Sequence, residues 1–356
     1  MSLLKLSEDL SSFASVIEWK DDEGTFRHNI LSSYQSTCLK KFNGYVESAA
    51  CRKIARAEDL LEALNVMSPS ERGEFSCLPY VVETVRFSEE KELTTEIASL
   101  VFLSLGYVLD TGRGKDNYSP SKVKGFPVGV EASGIPFLLN TTGITRWSEP
   151  STEYANSEVE EVSKKIRNSL QFLKSESIIY RFVSDFTLVL GIRKNVSSGN
   201  KPYSGTFRGM VGFSAMTNPH LVEADQYYLA DAMVHESMHT AMYMLEYING
   251  CHIASDSDVR TNVSSPWTGS SLNVDNILQA AFVWYGLYYF WKELMNSKVD
   301  EGIALPYMER AFRGFEKLNL FMHRTGLFGR DEVCELVSQM ASSLVEGRSW
   351  RNRFVL

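Results

Sequence analysis

The chain has 356 residues, of which 44% are hydrophobic, and carries a formal net charge of −8. This length and composition suffice for one large globular domain or two ordinary ones with a full hydrophobic core. The acidic balance argues against nucleic acid as the main partner, because phosphate binding needs a surplus of lysine and arginine.

The sequence lacks the features of a secreted or membrane-anchored protein. The N-terminus has no basic start followed by a sustained apolar stretch, and the longest apolar stretch, residues 277–291, is too short and too aromatic for a membrane span. The five cysteines are scattered without the paired spacing of a metal site, which fits a reducing compartment. We therefore expect a cytoplasmic protein without a membrane partner.

The N-terminal part of the chain has the apolar spacing of helices. Apolar residues recur at every third or fourth position in residues 30–42, 55–67 and 93–109. Residues 110–131 are rich in Gly, Ser, Pro and Lys, a composition typical of a long surface loop. These patterns predict a helical N-terminal region over residues 1–150.

The remaining residues, 151–356, combine predicted helices with a few strands. Acidic residues early and basic residues late in residues 157–176 match the helix dipole and predict a helix. β-Branched and aromatic residues are enriched in residues 178–192 and 209–216, which are predicted as strands. The helices predicted after them are residues 222–248, with Gly250 as the C-cap, and residues 274–296, 305–320 and 330–346.

Residues 235–239, His-Glu-Ser-Met-His, are the most informative about function, because they match the HExxH signature inside a predicted helix. A helix repeats every ~3.6 residues, so His235 and His239 project from one face and can bind one metal ion, with Glu236 beside the open coordination position. The chain has only 6 histidines, and a chance match is expected on the order of 1% of the time. We predict His235 and His239 as metal ligands and Glu236 as the catalytic residue.

Two imidazoles are too few to retain a metal ion, so a third ligand is required. Glu246 shares the helix face, but its rise of ~10 Å from His239 favours a supporting or core hydrogen-bonding role. Asp275 and Gln279 lie one turn apart on the next predicted helix and are the candidates for the third ligand. Helix capping explains Asp275 equally well, and a structural role is predicted for His252 in the intervening loop.

The role of Glu236 depends on the metal. With zinc it would act as general base towards the metal-bound water, whose pKa falls to ≈ 7. With iron it would orient a ligand or complete a hydrogen-bond network. The motif is compatible with both metals.

Three blocks around the motif carry a family resemblance. They are residues 209–220 (GMVGFSAMTNPH), residues 230–246 (ADAMVHESMHTAMYMLE), and residues 265–269 (SPWTG) with 282–286 (FVWYG) and 290–291 (FW). In this order and spacing they resemble the HExxH-type 2-oxoglutarate-dependent peptide β-hydroxylases, also called HEXXH-motif peptide maturases. The resemblance covers about a third of the chain, mostly residues 205–295.

The resemblance implies an Fe(II) dioxygenase that binds 2-oxoglutarate and O2 and hydroxylates a side-chain β-carbon in a ribosomally made precursor peptide. His235 and His239 would be the iron ligands. The family commonly has a histidine in its later helix where this chain has Gln279. Asp275, one turn earlier, would restore the two-His, one-carboxylate set of iron oxygenases.

A 2-oxoglutarate site also needs a cation for the distal carboxylate, usually an arginine with its bidentate fork. The candidates are Arg193, Arg208, Arg324 and Arg348. Arg208 is preferred because it precedes the strand that should border the metal cleft.

The predicted fold class is α+β and predominantly helical. It has an N-terminal helical region, residues 1–150, and a C-terminal zincin-like catalytic region, residues 151–356, in which a small sheet lies beside the HExxH helix. The sequence is compatible with two domains or with one continuous body. Residues 209–216 are predicted to form an exposed edge strand that binds a peptide. Residues 282–291 are apolar on nearly every face of the predicted helix, so this helix is predicted to be buried.

Two other functions use the same residues. One alternative is a zinc metallopeptidase with Glu236 as general base, which would need neither O2 nor 2-oxoglutarate. The other alternative is a non-catalytic peptide-binding protein whose metal site has lost its function, which the glutamine at position 279 would indicate. The partner is a peptide in all three cases, and the sequence does not specify the oligomeric state.

Overall fold

The computed structural model describes most of the two ends of the chain and part of its middle. The described residues are 3–19, 24–47, 61, 64–65, 67–79, 81–83, 85, 137–139, 152, 154–195, 201–254, 262–325 and 331–351. The helix predicted over residues 93–109, most of that over 55–67, and the loop predicted over 110–131 lie outside them.

Helices account for most of the described residues, and the strands are short. The helices are α1 (Leu3–Val16), α2 (Thr25–Glu47), α3 (Pro69–Cys77), α4 (Asn156–Lys174), α5 (Ser177–Phe186), α6 (Gln226–Asn249), α7 (Val274–Ser297), α8 (Glu301–Thr325) and α9 (Asp331–Arg351). The strands are β1 (Phe137–Leu139), β2 (Val189–Arg193), β3 (Tyr203–Thr206), β4 (Phe213–Thr217), β5 (Asn262–Ser264) and β6 (Ser271–Asn273). The predicted α+β class with predominant helix is confirmed.

The chain divides into two compact units. The sheet unit comprises residues 27–244, and the helical unit comprises residues 1–26 and 245–356. The units do not divide at residue 150, and the functional division predicted there stays a prediction. Helix α6 begins in the sheet unit, and its last residues, 245–249, belong to the helical unit.

The sheet unit contains a four-stranded sheet with the order β1-β2-β4-β3. Strands β1, β2 and β4 are parallel, whereas β3 pairs antiparallel with β4. Every residue of β2 and β4 is buried, as is typical of strands inside a largely parallel sheet, and β3 is half-buried at the edge. The prediction that residues 209–216 form an exposed edge strand is therefore wrong. The strand begins at Phe213 and is paired on both sides.

The strand predicted over residues 178–192 is also wrong in its first half. Helix α5 occupies residues 177–186, and the strand begins only at Val189. The buried residues of α5 follow helical spacing and are Ile179, Phe182, Val183 and Phe186. The β-branched and aromatic composition of this segment misled the prediction, because burial on one helix face needs the same residue types.

Two polar side chains fix how the chain leaves the sheet and enters α6. Asn218 follows β4 with a positive φ of 56°, and its buried amide donates to the carbonyl of Asn195 and accepts from the Asn195 N–H, at 2.8 and 2.7 Å. Asp225 accepts from the N–H groups of Tyr227 and Tyr228 and so caps α6. The ends of β2 and β4 are thereby tied together where the HExxH helix starts.

The helical unit is built around α7. Eighteen of its residues, from Val274 to Leu294, are buried, which confirms the predicted buried helix. Trp267, in the turn between β5 and β6, stacks on Trp284 with ring centroids 6.2 Å apart and donates to the carbonyl of Ala311 in α8. Gly250 caps α6 with a φ of 67°, as predicted. None of the described helices combines the length and apolar character that a membrane crossing requires.

Close packing inside the sheet gives a first testable prediction. A Cβ atom on Gly191 of β2 would overlap the ring of Phe213, a fully buried residue that cannot move aside. We expect Gly191→Ala to lower the free energy of unfolding by about 2 kcal/mol, since overpacking a core typically costs 1–3 kcal/mol. The matched control is Gly44→Ala in α2, where a Cβ meets nothing within 4 Å and helix propensity should add up to about 1 kcal/mol. Equal effects of the two substitutions in urea denaturation would contradict the packing.

Candidate metal centre

His235 and His239 lie one turn apart on α6 with their ring centroids 5.0 Å apart. A metal–nitrogen distance of 2.0–2.1 Å puts each ring centre about 3.2 Å from a shared ion, so this separation corresponds to an angle of roughly 100° at the metal. Both rings are half-buried and therefore reachable from solvent. The separation of the two rings is therefore compatible with the shared metal ion that the motif predicts.

Glu236 is almost fully buried between this pair and the sheet edge. Its side chain is 3% exposed, and its Oε1 atom lies 4.0 Å from Nε2 of His235. The Ser204 hydroxyl of strand β3 donates to the same oxygen at 2.6 Å. Burial raises the pKa of Glu236 to about 8, although the hydrogen bond from Ser204 acts in the opposite direction. Without a bound metal, this carboxyl group therefore titrates close to neutral pH beside the two predicted metal ligands.

A cation lies near the same helix face. The guanidinium carbon of Arg208 lies 5.2 Å from the centroid of the Tyr243 ring. That ring in turn stacks on His239 at 6.1 Å with an interplanar angle of 23°. Tyr243 follows His239 by four residues, so the two rings share one face of α6. Arg208, Tyr243 and His239 thus form a continuous row that ends at a predicted metal ligand.

Of the three other arginine candidates, Arg193 has a side chain that the structure describes, whereas Arg324 and Arg348 do not. Arg193 lies in the internal strand β2 and is 2% exposed, so a cosubstrate from solvent does not reach it. Arg324 and Arg348 have side chains outside the described part of the structure. Arg208 is half-buried and stays the preferred candidate.

The two candidates for the third ligand contact other residues of the helical unit. Gln279 donates to Oε1 of Glu246 at 3.1 Å. Asp275 accepts from the N–H of Ala254 at 3.0 Å, and its carboxylate belongs with Glu246 and His252 to a group of potential ligands. Within the described residues, His235 and His239 are not in such a group of three. Their completion by Asp275 or Gln279 stays a prediction.

Glu246 has the core hydrogen-bonding role that its helix position predicted. It is 5% exposed, and its Oε1 accepts from the N–H of Ile253 at 3.2 Å as well as from Gln279.

Sequence reasoning missed two residues of the site. Tyr243 was detectable, since a position four residues after His239 must share its face. Ser204 was not, because it lies 32 residues before Glu236 and meets it only through the pairing of β3 with β4.

No protein-family model and no curated protein matches this sequence.

Proposed function

We propose that the protein is an Fe(II)- and 2-oxoglutarate-dependent hydroxylase that modifies a side-chain β-carbon of a ribosomally made peptide. His235 and His239 are two of the metal ligands, and Arg208 binds the distal carboxylate of 2-oxoglutarate. The observation that carries this proposal is the position of the Arg208 guanidinium on Tyr243, beside His239. A dicarboxylate cosubstrate needs a cation for its distal carboxylate, and Arg208 supplies one beside the predicted metal ligand.

The substrate class is supported by the edge of the sheet. Among the strands that the structure describes, β3 is the last in the order β1-β2-β4-β3, and its residues are half-buried. An extended peptide pairing with β3 would add a strand to the sheet. Because Ser204 of β3 donates to Glu236, such a peptide would run directly past the motif helix.

Each protein group then has a separate task. Bound iron with 2-oxoglutarate and O2 supplies the oxidising equivalents for inserting oxygen into a C–H bond. Arg208 orients the cosubstrate through its carboxylate, and Tyr243 holds the guanidinium plane against the helix. Glu236, one oxygen of which accepts from the Ser204 hydroxyl at 2.6 Å, would orient a neighbouring group or complete a hydrogen-bond network beside the metal. Strand β3 fixes the peptide.

A zinc metallopeptidase is the second candidate, and one specific observation favours it. In a zincin-like arrangement, an antiparallel edge strand lies beside the HExxH helix, and here β3 and α6 are joined through Ser204 and Glu236. A carboxyl group whose pKa lies near neutral pH suits a general base for hydrolysis. The contact between β3 and α6 suits either function, and the cosubstrate distinguishes them.

The distinguishing experiment is anaerobic reconstitution with Fe(II), followed by addition of O2 and 2-oxoglutarate with and without candidate peptides. We expect succinate to form and the peptide to gain 16 Da, and both to be lost in His235→Ala. Peptide cleavage by the zinc-loaded protein, without consumption of O2 or 2-oxoglutarate, would establish the peptidase instead. A metal content well under one equivalent would favour the non-catalytic binding protein.

Arg208 gives a prediction specific to the cosubstrate. Arg208→Ala should raise KM for 2-oxoglutarate about 10- to 100-fold, because a hydrogen bond to a charged group contributes about 1.5–3 kcal/mol. KM for the peptide should stay within about twofold, and Arg208→Lys should recover part of the loss, since lysine keeps the charge without the fork. Arg181, exposed on α5, provides the control Arg181→Ala. An unchanged KM for 2-oxoglutarate in Arg208→Ala would remove this residue from the site.

A further inference from the structure

A second group of metal-ligating side chains lies in the helical unit, and it includes Asp275, one of the two candidates for the third ligand of the metal on α6. Glu246, His252 and Asp275 each offer one ligand atom, and these three atoms all lie within 4.8 Å of one another. We call these residues the carboxylate–imidazole cluster. They come from three separate segments: the end of α6, the loop after it and the first turn of α7. The tertiary fold therefore brings these three side chains together, whereas the spacing of residues along one helix would not.

The two carboxylates of the cluster are buried. Glu246 is 5% exposed and Asp275 is fully buried. The hydrogen bonds that they accept come from neutral donors, namely the N–H groups of Ile253 and Ala254 and the amide of Gln279. Two buried carboxyl groups held this close repel each other when both are ionised, and a cation between them would offset that repulsion.

Helix polarity adds a second argument. Glu246 lies in the last turn of α6, where the Gly250 N–H caps its carbonyl at 2.8 Å. The C-terminal end of a helix has a partial negative charge, so a buried carboxylate there is destabilising on its own. Asp275, in the first turn of α7, is favourably placed for the helix dipole. The helix end therefore does not stabilise the Glu246 carboxylate, whereas a bound cation would.

We propose that the carboxylate–imidazole cluster binds a divalent transition-metal ion, as a second metal site separate from His235 and His239. Asp275 then belongs to this second site and is not the third ligand of the first. An imidazole ligand disfavours Ca²⁺ and Mg²⁺, which prefer oxygen-only sites, whereas one imidazole with two carboxylates suits Zn²⁺ or Mn²⁺. Gln279 orients Glu246 through its amide rather than binding the ion. The His252 side chain is 41% exposed and gives the ion a route from solvent.

The role that follows from this position is structural. An ion bound by all three residues joins the end of α6 to the start of α7 and fixes the intervening residues 251–254. Binding to the folded protein alone raises its stability. We therefore expect the second ion to raise the melting temperature.

The test uses the full chain with both motif histidines removed, His235→Ala with His239→Ala, so that failure of the proposed function does not affect it. After equilibrium dialysis against Zn²⁺ or, separately, Mn²⁺, this double variant should retain about one equivalent of one of these ions by mass spectrometry. The ion should raise its melting temperature by about 2 °C or more. Adding His252→Ala should abolish both effects, and adding Asp275→Asn, which keeps the acceptor for Ala254, should do the same.

The matched control adds His28→Ala, an exposed histidine of α2, and should leave metal binding unchanged. Less than about 0.2 equivalents of either ion in the double variant, with no change in melting temperature, would overturn the proposal. So would full retention of the ion after His252→Ala. Circular dichroism verifies that each variant is folded, and His252→Ala decides the outcome if Asp275→Asn does not fold.

Discussion

His239→Ala is expected to reduce 2-oxoglutarate turnover by more than about 100-fold and to lower the bound metal by one equivalent. Loss of a residue that only orients a metal ligand typically reduces affinity or activity 10- to 100-fold, and loss of the ligand itself exceeds this. The half-buried ring contributes little to the core, so the metal-free variant should keep its circular dichroism spectrum and melt within about 3 °C of the wild type.

The control for this prediction is His28→Ala, which removes an exposed histidine from α2 and should change neither metal content nor turnover. Metal content is measured relative to the wild type, because the carboxylate–imidazole cluster is expected to hold its own ion. Wild-type metal content and turnover in His239→Ala would show that α6 does not carry the metal site.

Glu236→Gln is expected to abolish activity and yet to stabilise the metal-free protein. Burial raises the pKa of Glu236 from 4.5 to about 8, so the folded protein holds a proton that the unfolded chain releases above pH 4.5. The stability that the buried Glu236 carboxyl group contributes in its protonated form is therefore complete below pH 4.5. It is lost progressively as the pH rises to about 8. Glutamine does not titrate and can still accept from Ser204. At pH 7 the variant should be more stable by roughly 3 kcal/mol.

Urea denaturation of the two metal-free proteins at pH 5, 7 and 8.5 measures this difference. The advantage of Glu236→Gln should be small at pH 5 and should increase up to about pH 8. Glu160→Gln, at an exposed position of α4, is the control and should change stability by less than about 0.5 kcal/mol at every pH. A difference that does not vary with pH would mean that Glu236 is not the titrating group.

Local periodicity predicted the elements that carry the metal ligands. Helix α6 was placed within four residues at its start and one at its end, and Gly250 was identified as its cap, because both depend on neighbouring residues only. The all-round apolar pattern of α7 likewise predicted its burial. The HExxH spacing then fixes the relative position of His235 and His239 once the helix is known.

The remaining features depend on contacts between distant segments. The weakly strand-like sequence Tyr-Ser-Gly-Thr of β3 gave no indication that it, rather than β4, forms the sheet edge. The contact of Ser204 with Glu236 follows from that pairing and was therefore missed. Asp275 was recognised as a potential ligand, but its proximity to Glu246 and His252 depends on how α7 packs in the helical unit.

The central claim, that His235 and His239 bind one ion together, is tested most directly by anomalous X-ray diffraction from crystals soaked in Mn²⁺ or Zn²⁺. Data collected on both sides of the metal absorption edge should give a peak about 2.0–2.2 Å from a nitrogen of each imidazole ring. Anomalous density that lies only at the carboxylate–imidazole cluster, or histidine rings turned away from each other in the soaked crystals, would contradict the claim.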